Sequence, residues 1–311
     1  MTAHRLDPRR RGQAAIVVAA AAWSTAGLGQ RELGADAATQ VAGRAFFAAV
    51  TLLLVVLAFE GRGTVAAFRT MGRFGVASAV FMAVSSGTFM LALNHTTVAN
   101  VVFMQAAAPM FAALLGWAVL SDPVPGRTWA AVGVAAAGVA LMVGGAAASG
   151  AAAMALPFVM TVSFAVVIVI TRHRREVSMM PATCASQVLV VAVALPLATP
   201  ASASADDWAI LAALGIGQMG LGLAMLTIGA RLISPAEVAI ISLLEVVLGP
   251  LLVWAAYGEQ PAAATLVGGA IVLGAVLLQA SGDDGRRREA PLPAEAGAAG
   301  RPLTCDPGPS G

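Results

Sequence analysis

The sequence predicts an all-α membrane protein with ten transmembrane helices, arranged as two inverted five-helix repeats. Three observations support this prediction. Of the 311 residues, 59% are hydrophobic and only 11% are charged, whereas a usual soluble protein carries about 25% charged residues. Apolar segments of about 20 residues recur along the chain, which is the length that crosses the hydrocarbon core of a bilayer. Residues near the end of the first half also recur near the end of the second half.

The apolar segments are expected to be helices joined by short polar connections. The first segment follows an arginine-rich start and resembles a signal peptide, but nine further apolar segments follow it, so we interpret it as a retained helix. Alanine and glycine are frequent throughout, as in membrane helices whose backbones approach closely. In order, the ten predicted helices run over residues 13–31, 39–59, 71–93, 97–120, 127–146, 152–171, 181–199, 207–230, 235–257 and 262–280.

The chain divides into four regions on this basis. Residues 1–12 form an N-terminal segment, residues 13–146 the first repeat and residues 152–280 the second. The tail, residues 281–311, combines charged residues with several prolines and few large apolar groups, and it is predicted to be disordered.

The arginines predict the orientation in the membrane. If the helices alternate from a cytoplasmic N-terminus, sixteen of the 18 basic residues fall on the cytoplasmic side, while Arg31 lies in an opposite loop and Arg44 within a helix. Arginine is enriched in cytoplasmic loops, so both termini are predicted to be cytoplasmic in a multi-pass protein of the plasma or inner membrane. The sixteen are Arg5, Arg9, Arg10, Arg11, Arg62, Arg69, Arg73, Arg127, Arg172, Arg174, Arg175, Arg231, Arg286, Arg287, Arg288 and Arg301.

An internal repeat is visible at an offset of about 137 residues. Trp117 aligns with Trp254, and Asp122 aligns with Glu259 just after the end of each helix. Helices four and five therefore resemble helices nine and ten. Because each half contains an odd number of helices, consecutive halves enter the membrane from opposite sides. Such inverted repeats are a recurrent architecture of secondary transporters.

Several of these residues together resemble the drug/metabolite transporter superfamily, specifically the EamA-type ten-helix permeases. The resemblance covers about residues 13–280 and rests on the stretch Trp23-Ser24-Thr25, on Arg44, and on the two helix-ending stretches 109–122 and 245–259. It implies two five-helix repeats around a central cavity. It also implies export of amino acids, other metabolites or drugs.

Two ionisable residues fall within predicted helices, where charge is costly and therefore marks candidate functional sites. Glu245 lies near the middle of helix nine, with Ser242 on the same face. It is a candidate proton carrier or counter-charge for an amino group, and a protonated carboxyl that bonds to neighbouring helices is the alternative. Arg44 lies about five residues into helix two. It is a candidate carboxylate ligand, and the alternatives are snorkelling or pairing with Glu32 or Asp36.

Polar residues in other helices are further candidates for a substrate cavity. Trp23, Ser24 and Thr25 place an indole ring and two hydroxyls about ten residues into helix one, which suits a cavity wall as well as helix packing. Asn100 and Gln105 of helix four can line a cavity or bond between helices. Weaker candidates are Gln218 of helix eight, Ser85, Ser86, Thr88 and Gln187.

Two prolines are candidate kink positions, because a proline inside a helix releases a backbone carbonyl. They are Pro109 in helix four and Pro250 in helix nine. Members of the family that this chain resembles often have a Glu-Pro pair in the second repeat, whereas here the pair is Glu245-Val246.

The predicted function is secondary transport of a small molecule, with export as the direction that the resemblance implies and an uptake permease as the alternative. A channel would need a ring of charges or carbonyls, and an intramembrane serine protease would need a histidine beside Ser85 or Ser86 at the right depth. The chain has no phosphate-binding glycine loop and no clustered histidines, so we predict no cofactor, metal or nucleic acid. The lipid bilayer is the expected surrounding, and a homodimer is an open alternative.

Overall fold

The structure is a computed structural model that describes residues 7–121, 124–145, 152–173, 180–230, 232–233 and 235–289. The described residues form helices and connections without β-strands. Nine of the helices formed by these residues are long and apolar enough to cross a membrane, and a tenth apolar helix covers Ala263–Gln279. The predicted all-α membrane fold is therefore confirmed. Asp122, the acidic residue that ends helix four in the repeat comparison, lies outside the described residues.

The spanning helices are labelled α1 to α10, and three of them are divided into segments. A short helix, Thr64–Thr70, lies between α2 and α3. The bounds are α1a Pro8–Ser24, α1b Ala26–Glu32, α2 Ala37–Glu60, α3 Gly72–His95, α4a Val98–Ala106, α4b Ala108–Leu120, α5 Gly126–Gly145, α6 Ala152–His173, α7 Met180–Ala194, α8a Ala205–Ala213, a π-helical segment Leu214–Leu221, α8b Gly222–Ala230, α9 Pro235–Tyr257 and α10 Ala263–Glu289.

Local capping explains where several helices begin. Asp7 precedes α1a and accepts a hydrogen bond from the backbone N–H of Arg9, while Pro8 occupies the first helical position, where its missing N–H costs nothing. Asp36 caps α2 through the N–H of Thr39 at 3.0 Å. Ser204 and Asp207 form a reciprocal capping box at the start of α8a.

The last helix extends beyond its predicted end. α10 continues to Glu289, beyond its predicted end at residue 280, and the disorder predicted for the tail stays a prediction. Residues 290–311 lie outside the described residues.

Contacts between the two repeats follow a two-fold pattern. Helix α1 packs against α8 and α9, and its counterpart α6 packs against α3 and α4. The pairs α2–α7 and α5–α10 also pack together, and each pair is its own counterpart under exchange of the repeats. These helices thus have the neighbours that their counterparts in the other repeat predict, as an inverted repeat requires.

Glycines set the closest of these contacts. A Cβ on Gly138 of α5 would lie 2.6 Å from the carbonyl oxygen of Gly268 of α10, so the two backbones touch only because side chains are absent. Gly269 packs on the ring of Phe103. Gly133, which the repeat aligns with Gly269, and Gly274, which it aligns with Gly138, face open space.

The two ends of the bundle differ. We call the end where α1 begins the N-terminal end, and the end where α1b finishes the opposite end. At the opposite end α4a packs against α10, where the Thr265 hydroxyl donates a 2.7 Å hydrogen bond to the Asn100 amide. Among the described residues, α9 and α5 make no comparable contact at the N-terminal end, although the repeat places them as counterparts. In the part of the chain that the structure describes, the contact between α4a and α10 at the opposite end therefore has no counterpart of similar size at the N-terminal end.

Candidate functional site

A guanidinium group is buried between the two repeats. Arg44 is only 2% exposed and lies about 10 Å along α2 from its start, given a rise of about 1.5 Å per residue. Its Nη2 donates to the hydroxyl and the carbonyl of Ser86 on α3, at 2.8 and 3.2 Å. Its Nη1 donates to the side-chain oxygen of Gln218 at 3.4 Å.

Two further residues complete what we call the Arg44 cluster: Arg44, Ser86, Phe89, Gln187 and Gln218. The Ser86 hydroxyl donates to Gln187 of α7 at 3.4 Å. The guanidinium carbon lies 5.7 Å from the centre of the Phe89 ring, within cation–π range. Arg44, Ser86 and Phe89 belong to the first repeat, whereas the two glutamines belong to the second. The cluster therefore spans the interface between the halves.

The guanidinium has neutral partners only. Its Nε–H has no hydrogen-bond partner, and among the described residues no carboxylate forms an ion pair with it. The two acids that the sequence offered as partners are engaged elsewhere. Glu32 accepts a hydrogen bond from Tyr257, and Asp36 accepts from Thr39 and from Thr199. Arg44 neither snorkels to the end of the bundle nor pairs with these acids.

The π-helical segment of helix α8 brings Gln218 to the cluster. A Cβ on Gly215 would lie 2.7 Å from the carbonyl oxygen of Arg44, so this glycine lets α8 lie directly against α2. Gly220 similarly packs on Thr51 of α2. A π-helical turn within an α-helix is frequent at functional sites. Here it coincides with the amide that contacts the buried charge.

Glu245 lies near the middle of α9 and is half-buried, as is Ser242 one turn earlier. Next to Glu245 on α9, Gly249 is buried against α4a, where it lies near Val98. Glu245 has no hydrogen bond or ion pair with the described residues. The structure therefore keeps Glu245 separate from the Arg44 cluster, and the two ionisable candidates do not form a pair.

Helix α1 is interrupted where the sequence places its hydroxyl groups. The Ser24 hydroxyl is buried and donates to the carbonyl of Ala20 at 2.7 Å, and that of Thr25 donates to Ala22 at 2.7 Å. These bonds satisfy the hydroxyls within the helix. The half-buried Trp23 packs against Gly222 of α8b, where the indole leaves no room for a Cβ. The Trp23 side chain thus contributes to the α1–α8 contact.

Helix α4 is interrupted at Ala107, two residues before Pro109. Proline cannot donate the bond that would tie position 109 to the carbonyl of Gln105. Gln105 is half-buried, whereas Asn100 is buried and accepts from Thr265. In α9, by contrast, Pro250 lies inside a continuous helix.

An amide cluster that the sequence analysis did not identify lies nearer the opposite end. The side chain of Gln30 on α1b donates to Gln40 on α2 and to Asn94 on α3, the latter at 3.1 Å. Asn94 also donates to Gln40 at 2.9 Å, while the side-chain oxygen of Gln30 has no hydrogen-bond partner. In the sequence, the only sign of this cluster is that three successive helices each carry one of these amide residues near the same end of the bundle.

Ion pairs join α1 and α9 at both ends. Arg9 pairs with Glu237 at the N-terminal end, and Arg31 pairs with Glu259 at the opposite end, each at 2.7 Å. Arg31 also donates to the carbonyl of Leu93 at 2.6 Å. The two ion pairs thus tie the two ends of α1 to the start of α9 and to the connection that follows α9.

Comparison with known proteins adds to this geometry. The model of the EamA-like transporter family matches the chain twice, over residues 10–144 and 151–280, one match in each half of the bundle. The crystal structure of another protein resembles the chain with a TM-score of 0.61 and 18% identity, over 90% of this chain and 99% of that one. At this identity the likeness shows the fold alone. No curated protein sequence matches the chain.

Proposed function

The chain belongs to the EamA-like transporter family, and we propose that it is a secondary transporter that exports small metabolites, such as amino acids, or drug-like molecules across the cytoplasmic membrane. Family membership makes it a membrane transporter. The direction, the cargo and the mechanism of alternating access belong to the proposal.

The observation that carries the proposal is the two-fold pattern of contacts between the inverted repeats. Helix α1 packs against α8 and α9, and its counterpart α6 packs in the same way against α3 and α4. Because the two sets of contacts are equivalent, the two halves can exchange conformations. Such an exchange opens the other side of the membrane to a site between them. Buried polar groups lie at that interface, as a substrate site requires.

The orientation follows from charge. The arginine distribution favours an N-terminal end in the cytoplasm, so we propose that both termini are cytoplasmic. Under this orientation the cytoplasm faces the end of the bundle where the described residues of α5 and α9 make no contact comparable to that of α4a with α10. A molecule from the cytoplasm would therefore reach the interface between the repeats first, which agrees with export.

Glu245 is proposed to couple transport to protons or to recognise a positively charged group. A charged side chain at the centre of a helix costs about 2.5–3.5 kcal/mol on the insertion scale. Glu245 has no arginine partner among the described residues to offset this cost. A carboxyl group that is protonated in one state and ionised or substrate-bound in the other fits this position.

Counterflow in proteoliposomes tests the transporter proposal. Vesicles that contain the full chain would be loaded with amino acids, nucleosides or cationic drugs, and uptake of the same labelled compound would be followed at two pH values. We expect saturable, stereoselective exchange of one class of compound. A carrier gives exchange that is accelerated by internal substrate, whereas a channel does not. Flux without this acceleration would contradict the proposal.

The Glu245→Gln variant tests the coupling role. We expect its exchange to lose the pH dependence of the wild-type protein, because an amide cannot bind and release a proton. Glu60→Gln, at the exposed end of α2, is the matched control and should retain that dependence. If Glu245→Gln exchanges at the wild-type rate with unchanged pH dependence, Glu245 has no coupling role.

A further inference from the structure

We propose that the Arg44 cluster binds the carboxylate group of the transported molecule. This inference rests on the proposed function, since a transported molecule is what brings an anionic group to this depth. It assigns the substrate class as carboxylates, with the guanidinium as the anchor and the neutral amides and hydroxyl of the cluster as its surroundings.

The charge of the cluster is the first argument. Arg44 is 2% exposed, and its partners Ser86 and Gln218 are both neutral. Arginine remains charged in proteins, so a net positive charge is enclosed between helices. Buried charges are normally paired or hydrogen-bonded in full. A carboxylate supplies the missing counter-charge, which no described residue provides.

The free donor is the second argument. Both Nη groups are held, one by Gln218 and the other by Ser86, while the Nε–H has no partner. A guanidinium binds a carboxylate through two parallel N–H groups. The edge formed by Nε and Nη2 offers such a pair if the carboxylate displaces the Ser86 hydroxyl. Phe89 covers the plane of the group and so leaves the edges as the binding surface.

The location is the third argument. Donors and acceptors of the cluster come from both repeats, and Gln218 lies in the π-helical segment of α8. A carboxylate bound here contacts both halves, so a rearrangement of the halves changes its surroundings. Because Arg44 is almost completely buried, the helices must part before a ligand binds. That requirement is the one that alternating access meets.

Equilibrium binding to the full-length protein in detergent tests the inference without relying on transport. The midpoint of thermal unfolding would be measured with matched pairs of probes: acetate and acetamide, benzoate and benzamide, L-leucine and L-leucinamide, L-phenylalanine and its amide. We expect at least one carboxylate to stabilise the protein saturably, with an affinity roughly tenfold or more above that of its amide, because hydrogen bonds between charged groups are the stronger ones.

Variants of Arg44 identify the anchor. Arg44→Lys keeps the positive charge but loses the planar pair of donors, and Arg44→Gln loses both. Each is expected to reduce the preference for the carboxylate by roughly tenfold. Arg69→Gln, at an exposed arginine of the short helix after α2, is the matched control and should leave the preference unchanged.

Gln218→Glu keeps the inference testable if the Arg44 variants do not fold. This change places a carboxylate beside the guanidinium, since the side-chain oxygen of Gln218 already lies 3.4 Å from Nη1. The variant is expected to fold and to lose binding of the external carboxylate, because the internal one competes for the same charge.

Three results would overturn the assignment. One is that no carboxylate binds better than its amide. Another is that Arg44→Gln or Gln218→Glu, when folded, retains the wild-type preference. The third is stabilisation by chloride and by none of the carboxylates. Carboxylate binding without counterflow would contradict the transport proposal but support the assignment of this site. Counterflow that does not change in the Arg44 variants would support transport but contradict the assignment of this site.

Discussion

Arg44 illustrates how neutral groups make a buried charge tolerable without neutralising it. On the insertion scale an arginine costs at most about 2.5–3.5 kcal/mol, the value for the centre of a helix. A hydrogen bond to a charged group contributes about 1.5–3 kcal/mol. The bonds to Ser86 and Gln218 are therefore of the size needed to offset the cost, while the unpaired Nε–H leaves a further gain for a ligand. A site of this kind is stable when empty and more stable when an anion is bound.

The identity of Arg44 as a candidate could be predicted, but its surroundings could not. An arginine among apolar residues is visible in any sequence. The direction in which it points depends on the rotation of α2 about its axis, and a helix that is apolar on all sides gives no pattern that fixes this rotation. For the same reason the sequence did not predict the amide cluster of Gln30, Gln40 and Asn94.

Asp36 provides a prediction at this scale, outside the membrane-spanning segments. Hydrogen bonds to the carboxylate hold the pKa of Asp36 below its usual value. The Thr39 hydroxyl makes the largest contribution, and the hydroxyl of Thr199, after α7, adds to it. A folded-state pKa that is lowered stabilises the fold above the unfolded pKa of about 3.9. This contribution is lost as the pH falls below that value.

We therefore expect thermal unfolding in detergent to show an acid-sensitive contribution from Asp36. Asp36→Asn should lower the unfolding midpoint at pH 6. Its difference from the wild-type protein should shrink as the pH falls to about 3, since protons then bind to the Asp36 carboxylate of the unfolded wild-type chain and favour unfolding. Glu60→Asn is a control at an exposed carboxylate. An Asp36→Asn difference that is the same at both pH values would show that the carboxylate charge does not matter.

At the scale of helices, one difference between the two repeats concerns a proline. Pro109 in α4 aligns with Val246 in α9 at the offset of 137 residues. α4 is interrupted at Ala107, beside its proline, whereas α9 is continuous from Pro235 to Tyr257. The proline at Pro250 does not interrupt α9. The sequence marked both prolines as candidate kink positions and showed the difference from the family pattern. It could not predict which proline interrupts its helix, because that depends on the packing of the released carbonyl.

Glycines Gly138 and Gly133 give a matched pair of substitutions in one helix. Gly138→Ala places a Cβ 2.6 Å from the Gly268 carbonyl oxygen, so α5 and α10 must move apart. We expect a loss of about 1–3 kcal/mol in the free energy of unfolding, as for other overpacked sites. Gly133→Ala meets nothing within 4 Å and should cause no loss.

Denaturant titration in mixed detergent micelles would measure both variants. Equal effects of the two substitutions would mean that the α5–α10 contact is not the close glycine contact that the structure shows. An unchanged Gly138→Ala protein would lead to the same conclusion.

For the whole molecule, the sequence was sufficient to predict the fold. It was not sufficient to predict which helices are joined at each end of the bundle. Helix number and order follow from apolar length and from the repeat, and both depend on the solvent rather than on exact packing. The pairing of α1 with α9 through Arg9, Glu237, Arg31 and Glu259 joins residues that are 228 positions apart. No local pattern signals such a contact. Which helices pack together at each end of the bundle is likewise a property of the assembled repeats.

The inverted repeat nevertheless predicts the alternative conformation. At the opposite end, Asn100 of α4a contacts Thr265 of α10. The offset of 137 residues places Asn100 on Glu237, and the offset of 136 that applies after the next loop places Thr265 on Trp129. If the halves exchange conformations, Glu237 and Trp129 should approach each other at the N-terminal end while the contact of Asn100 with Thr265 opens.

Disulfide trapping tests this prediction in a chain whose Cys184 and Cys305 are replaced by serine. The pair Asn100→Cys and Thr265→Cys should cross-link readily, because the side chains are already in contact. The pair Trp129→Cys and Glu237→Cys should cross-link more slowly in the empty protein, since the described residues of α5 and α9 make no contact comparable to that of α4a with α10.

Each cross-link should abolish counterflow, and reduction should restore it, because a transporter that alternates must open and close both ends in every cycle. The corresponding single-cysteine variants show whether the substitutions themselves impair exchange. If the protein still exchanges substrate with Asn100→Cys and Thr265→Cys cross-linked, then the opposite end does not open where the repeat predicts. If Trp129→Cys and Glu237→Cys never cross-link while substrate is turning over, the two repeats do not exchange conformations. Transport would then depend on movements within one half of the molecule.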